Sequence, residues 1–164
     1  MTVARKESDK ADWIHFAADF LLNHLRPDGR IEITDTQYPE SHLYLSGDLF
    51  PLLDAYATSK NQKYLDGARK ILDYFSRNQL SSGGWTFGHL EVGGERTATV
   101  GGYGTYRDLA EKVCACSPFW PMAAVRMYER LTGDETYRSL VIRAIDFLQN
   151  IWDDQWGFHD GVVT

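Results

Sequence analysis

The chain has 164 residues, 43% of them hydrophobic, and a formal net charge of −6. Those values fit one globular domain of ordinary composition with a core of its own, and they exclude a disordered polyelectrolyte. No basic stripe is present to grip a phosphate backbone, and no apolar run approaches the ~20 residues that span a bilayer. The expected partners therefore include neither nucleic acid nor membrane. The N-terminal stretch before Trp13 lacks the apolar core of a secretory signal, so the expected compartment is the cytoplasm. Cys114 and Cys116 stand too close together for an ordinary disulfide framework.

The first predicted helix covers residues 8–25, with Ser8 or Asp9 as its cap. Trp13, Phe16, Ala17, Phe20, Leu21 and His24 recur there at helical spacing. Arg26 to Gly29 stop it, and a loop runs on to residue 42. The second helix, 43–58, is apolar over most of its circumference, which marks a buried helix. Pro51 lies inside it. Either the helix starts near Asp48, with Pro51 in its first turn, or it kinks. A short connection leads to the third helix, 63–79, which turns Tyr64, Leu65, Ala68, Ile71, Leu72 and Phe75 inward.

Residues 80–112 form the longest predicted non-helical stretch, rich in glycine. A loop of that length inside a domain is usually functional or disordered. The fourth helix is placed at 113–131, with Pro118 and Pro121 repeating the problem of Pro51. Asp134 is expected to cap a fifth helix at 135–151. The order is amphipathic, buried, amphipathic, buried, amphipathic. Short connections lead out of the buried helices and long loops, 26–42 and 80–112, lead into them. The reading is an all-α single domain over 1–164, built of antiparallel helical hairpins, with both long loops on one rim.

The amphipathic helices and their endings repeat without gaps. Asp19, Asp73 and Asp146 match, as do Phe20, Tyr74 and Phe147, then Leu21, Phe75 and Leu148. Past each helix end, Ile31, Trp85 and Phe158 match. The best copy, with Lys70, Tyr74–Phe75, Gln79, Gly83 and Trp85, resembles the repeat of the squalene cyclase and protein prenyltransferase superfamily. That resemblance implies an (α/α)6 toroid of six inner and six outer helices. The same toroid serves six-hairpin glycosidases, uronyl hydrolases and several polysaccharide lyases, so it implies an architecture and no single activity. Five main helices are less than half such a ring. Either the ring continues in a longer protein, or copies or a partner chain complete it.

Terpenoid chemistry needs clustered aspartates for Mg²⁺ or an acidic D-x-D-D to protonate an alkene. Neither is present, since Asp153–Asp154 is followed by Gln-Trp-Gly. A prenyl-enzyme relative without its aspartates is therefore a minor alternative. Zinc could draw on Cys114, Cys116, His159 and Asp160, but C-x-C on a helix aims its thiols apart, and free cysteine is usually core. No metal or other cofactor is expected.

Glycosidic chemistry needs two carboxyl groups roughly 5–9.5 Å apart for hydrolysis, or a Tyr or His base with a cation for elimination. Asp48 and Glu40 are the acid/base candidates, with His42 and Tyr103 as alternatives. His89, Arg96 and Arg107 supply contacts for an acidic sugar, and Trp85, Trp120 and Trp156 supply stacking faces. Trp85 and Trp156 hold repeat-lid positions and read more readily as packing residues than as stacking faces. The leading expectation is a carbohydrate-active enzyme, or part of one, acting on an oligosaccharide. The alternative is a noncatalytic helical-repeat interaction module.

Overall fold

A computed structural model describes residues 7–32, 40–85, 88–89, 113–114, 118–153, 157–158 and 162–163. Six helices carry it: α1 (Glu7–His24), α2 (His42–Gly47), α3 (Leu49–Ser59), α4 (Gln62–Asn78), α5 (Phe119–Thr132) and α6 (Arg138–Asn150). Among the described residues, strands are confined to antiparallel two-residue pairs. β1 (Glu40–Ser41) pairs with β2 (Gly88–His89), β3 (Val113–Cys114) with β6 (Val162–Val163), and β4 (Trp152–Asp153) with β5 (Gly157–Phe158). The fold class is all-α, as the periodicities require.

The helices form two rows. α3 packs against α1 and α4 and against α5, and α5 packs against α6. The second predicted helix is thus two helices broken at Asp48, and Pro51 lies in the first turn of α3, where its missing N–H removes no helical bond. Pro121 takes the equivalent place in α5. The predicted start of that helix at residue 113 is corrected to Phe119. Val113 and Cys114 instead pair with Val163 and Val162, a β-prone segment meeting another far along the chain. Cys114 is therefore on a strand, and Cys116 lies outside the described residues.

Tight turns with left-handed caps end α3 and α5, at Lys60 (φ 56°) and at Gly133 (φ 72°). Asn61 caps α4 by accepting from the Lys63 amide. Asp134 does not cap a helix at 135 as expected. It accepts from the Thr136 amide and hydroxyl in the turn before α6, and from the Tyr128 hydroxyl. Those bonds, that of Thr136 first, hold its carboxyl down at about 2. The Tyr128 hydroxyl in turn accepts from Arg69 Nε at 2.9 Å, tying α5 to α4.

The repeat seen in the sequence is a repeat of contacts. Each amphipathic helix ends in a turned-back lid, closed by an Arg26 N–Arg30 O bond of 2.7 Å in the first copy and a Leu80 N–Gly84 O bond of 2.9 Å in the second. Leu25 bridges Ile31 in the first, and Trp152 pairs with Phe158 at the same spacing in the third. The first two lids sit on the next amphipathic helix. A Cβ on Gly29 would lie 2.2 Å from the Lys70 carbonyl oxygen, and one on Gly83 would lie 2.0 Å from that of Arg143. Both glycines also hold positive φ, so the seat demands glycine twice over. Gln79 Nε2 adds a bond to Leu140 O at 3.0 Å, and Arg77 reaches back to Asp28 O at 2.8 Å.

The recurring aspartate has the matching job. Asp19 forms an ion pair with Lys63 at 2.6 Å, and Asp73 accepts from the Tyr137 hydroxyl at 2.6 Å. Each ties its helix to the first turn of the next. Burial, and then the bond to Asp73, pushes the Tyr137 phenol well above its ordinary range. The core runs between the rows and includes Leu49, Leu52, Leu53, Ile71, Leu72, Phe75, Trp85 and Tyr128, all essentially inaccessible. Each fully buried side chain of this size contributes roughly 1.5–3 kcal/mol. Glu129 is buried as well, held between Arg126 and Arg138.

Candidate functional site

The rim lies where α3 and α5 begin. Phe50 and Trp120, each in the first turn of its helix, meet edge to face at 5.8 Å, so α3 and α5 start side by side. A described two-residue piece of each long loop meets the other there. Ser41, directly before α2, pairs with Gly88, and Glu40 stands opposite His89 in the backbone register. Both α2 and β2 pack on each other there. Three candidates distant in sequence, Glu40, His42 and His89, are thereby placed on one strand pair and the helix start that follows it. Their backbone positions are described and their side chains are not.

Asp48 sits at the α2–α3 break, as the residue before the first turn of α3. Its side chain makes no capping hydrogen bond, although the helix end beside it offers free amides. Burial alone drives its carboxyl up to about 6, from an ordinary value of 3.8. The cause is solvent exclusion disfavouring the charged form. A group raised to the neutral range and left unpaired beside a cleft is a candidate acid.

The cleft beside it is an open groove of about 500 Å³ between α1 and α3. Trp13, Phe16 and Phe20 line it from α1, and Asp48 and Pro51 from α3. Asp48 is the carboxylate of that lining among the described residues. Sequence reasoning placed the three aromatics on a helical face without separating that face from the core. Trp13 is 63% exposed, Phe16 66% and Phe20 53%. A smaller hollow of about 160 Å³ lies at the far end of the stack against Ile145, Leu148, Gln149 and Trp152.

The other candidates divide. Trp120 is half exposed on the rim and can present its ring to a ligand. Trp85 cannot: it is wholly buried, its indole N–H donates to Phe75 O at 2.9 Å, and its ring packs edge to face on Phe75. It is a lid residue, and its assignment as a stacking face is corrected. Tyr103, Arg96, Arg107 and Trp156 lie outside the described residues. Among the described residues, no three His, Cys, Asp or Glu gather as metal ligands, and no helix is long and apolar enough to cross a membrane. Comparison of the chain with protein-family models, with curated proteins and with solved structures finds no match.

Proposed function

We propose that the two helical rows are part of an (α/α) toroid and that its rim processes a glycosidic bond in an oligosaccharide, with Asp48 as the general acid. The observation that carries this reading is the Asp48 carboxyl, raised to about 6 at the start of an inner helix and beside an aromatic groove. A carboxylic acid that keeps its proton near neutrality can protonate a leaving sugar oxygen. Glu40 is the second carboxyl, on the strand pair at the same rim, and His89 opposite it serves an acidic sugar. Exposed Trp120 stacks on the sugar face.

The test is turnover of a panel of neutral and uronic-acid oligosaccharides, with products read by mass spectrometry. Hydrolysis adds water to the product and elimination does not. Activity should decline as pH rises through about 6, where Asp48 loses its proton. Asp48→Asn should lower kcat by about 10²–10⁴-fold with little change in KM. No turnover of any member by the unmodified chain, or equal turnover by the variant, would sink the reading.

One observation favours a second reading, a noncatalytic helical-repeat module. The aromatic face of Trp13, Phe16 and Phe20 is broad and open, as an interface is before its partner arrives. That reading expects no turnover at all.

A further inference from the structure

Asp19 is held by Lys63, Asp73 by the Tyr137 hydroxyl and Asp134 by that of Tyr128. Asp54, midway along α3, differs from all three. It is half-buried, and burial raises its carboxyl above the ordinary value with no charged or hydrogen-bonding neighbour contributing. A carboxylate so placed costs free energy unless something donates to it. Its position on α3 decides what can. Asp54 follows Phe50 by four residues, so the two side chains lie one above the other on one face. Phe50 meets the half-exposed Trp120 edge to face. One turn on from Trp120 along α5 stands the exposed Ala123, and one turn on from Asp54 stands Ala57. Among the described residues, methyl-sized side chains thus flank the carboxylate below an aromatic pair. This face is not the groove between α1 and α3. That groove's lining on α3 ends at Pro51, and the six residues from Asp48 to Asp54 turn the helix by about 120°.

We propose that Phe50, Trp120 and Asp54 form a subsite for a neutral sugar unit, its ring stacked on Trp120 and two adjacent hydroxyls donating to the Asp54 carboxylate. The proposal rests on the reading of the rim as an oligosaccharide site and adds which kind of unit sits where. The negative face of an indole attracts the C–H side of a pyranose. An ionised carboxylate is acceptor-only, with two oxygens for two O–H donors. A purely apolar ligand would cover Asp54 and leave it stranded. A uronic acid would bring a second negative charge against the first, and like charges at short range repel. The acidic unit of a mixed oligosaccharide therefore belongs on the strand-pair side of the rim, toward His89, and the neutral unit over α3 and α5.

Calorimetric titration of the intact chain with two sets of tetrasaccharides tests this without requiring turnover. One set is neutral, built of glucose, xylose or mannose units, and the other is built of galacturonic acid units alone. At least one neutral tetrasaccharide should bind, and more tightly than the acidic set. Asp54→Asn should weaken the neutral binding about tenfold, as the loss of a hydrogen bond to a charged group does. The same variant should strengthen the acidic binding, because the repulsion is gone. A merely structural role for Asp54 would weaken both. Trp120→Ala should weaken both sets, since stacking is indifferent to the sugar's charge. The preference of the unmodified chain needs no variant to fold. No binding of any neutral member, equal affinity for the two sets, or a parallel loss in Asp54→Asn each overturns the proposal. Binding with the expected pattern but no turnover sinks only the catalytic reading. Turnover with an unchanged KM in Asp54→Asn sinks only the subsite.

Discussion

α4 and α1 are the same helix by repeat, and their surroundings differ. On α4, Tyr74 is 6% exposed beneath the Gly29 lid; on α1, Phe20 at the same position is 53% exposed with no lid above it among the described residues. The apolar stripe is written into both sequences. What differs is whether a neighbour is there to cover it. A stack of repeats is stabilised by nearest-neighbour interfaces in addition to the folding of each unit. Among the described residues α4 has such a neighbour over Tyr74, and α1 has none over Phe20.

Breaking the covered seat should have the largest effect. Gly29→Ala places a Cβ against the Lys70 carbonyl and 2.9 Å from Tyr74 Cβ, on a backbone held at φ 93°. Overpacking and left-handed strain together should lower stability by about 3 kcal/mol or more. Urea unfolding should show the midpoint falling at constant slope. Gly133→Ala is the control. Its φ is also positive, but nothing lies within 4 Å of the added Cβ, so the loss should stay near the ~1–2 kcal/mol of a left-handed residue alone. Equal losses at the two sites would mean that the lid does not seat tightly on α4.

Helix limits and the lid were legible because local chemistry writes them. The stretches read as 8–25 and 63–79 fold as Glu7–His24 and Gln62–Asn78. The choice posed by Pro51 resolved toward the first turn, where proline does no harm. Trp85 could be recognised as a lid residue from its place in three aligned copies. The start of α5 was not legible, because Val113–Cys114 is decided by pairing with Val162–Val163, almost fifty residues on. A periodicity count carries no term for such a partner. The exposure of Trp13, Phe16 and Phe20 was hidden for a related reason, since an apolar stripe says which face wants cover and not whether cover is present. The rim was half legible: Asp48 stood out as a charge on a buried helix start, but the strand pair setting Glu40 opposite His89 left no local signal.

Asp48 stands at the border of the open groove and should respond next most strongly. Its folded carboxyl is raised from 3.8 to about 6, so the folded state holds the proton more tightly than the unfolded one. The favourable contribution of the protonated form is complete below about pH 4 and is lost as pH rises through 6. Above that, the buried charge is a penalty of up to about 3 kcal/mol. Asp48→Asn should therefore stabilise the chain at pH 8 and leave it nearly unchanged at pH 4, as measured by thermal melts across that range. A variant that stabilises equally at both pH values would show that the carboxyl is not desolvated by its place in the groove.

The smallest effect sharpens the comparison most. Phe20→Ala removes a whole aromatic ring from the register where Tyr74 is core. The ring is half exposed, and its described ring contact is with His24 at 4.2 Å. A side chain that keeps most of its water contact has little transfer energy to lose. The backbone bond from His24 Nδ1 to Phe20 O, at 2.8 Å, survives the substitution. The expected change in unfolding free energy is within about 0.5 kcal/mol, and alanine's higher helix propensity offsets part of it. Truncating a ring buried as Tyr74 is typically costs about 3–5 kcal/mol. If Phe20→Ala instead lowers stability by an amount near that range in the isolated chain, α1 is already covered in solution and the asymmetry between the two helices is not real. A small loss shows that the Phe20 ring contributes little to folding at a position where Tyr74 contributes a core contact.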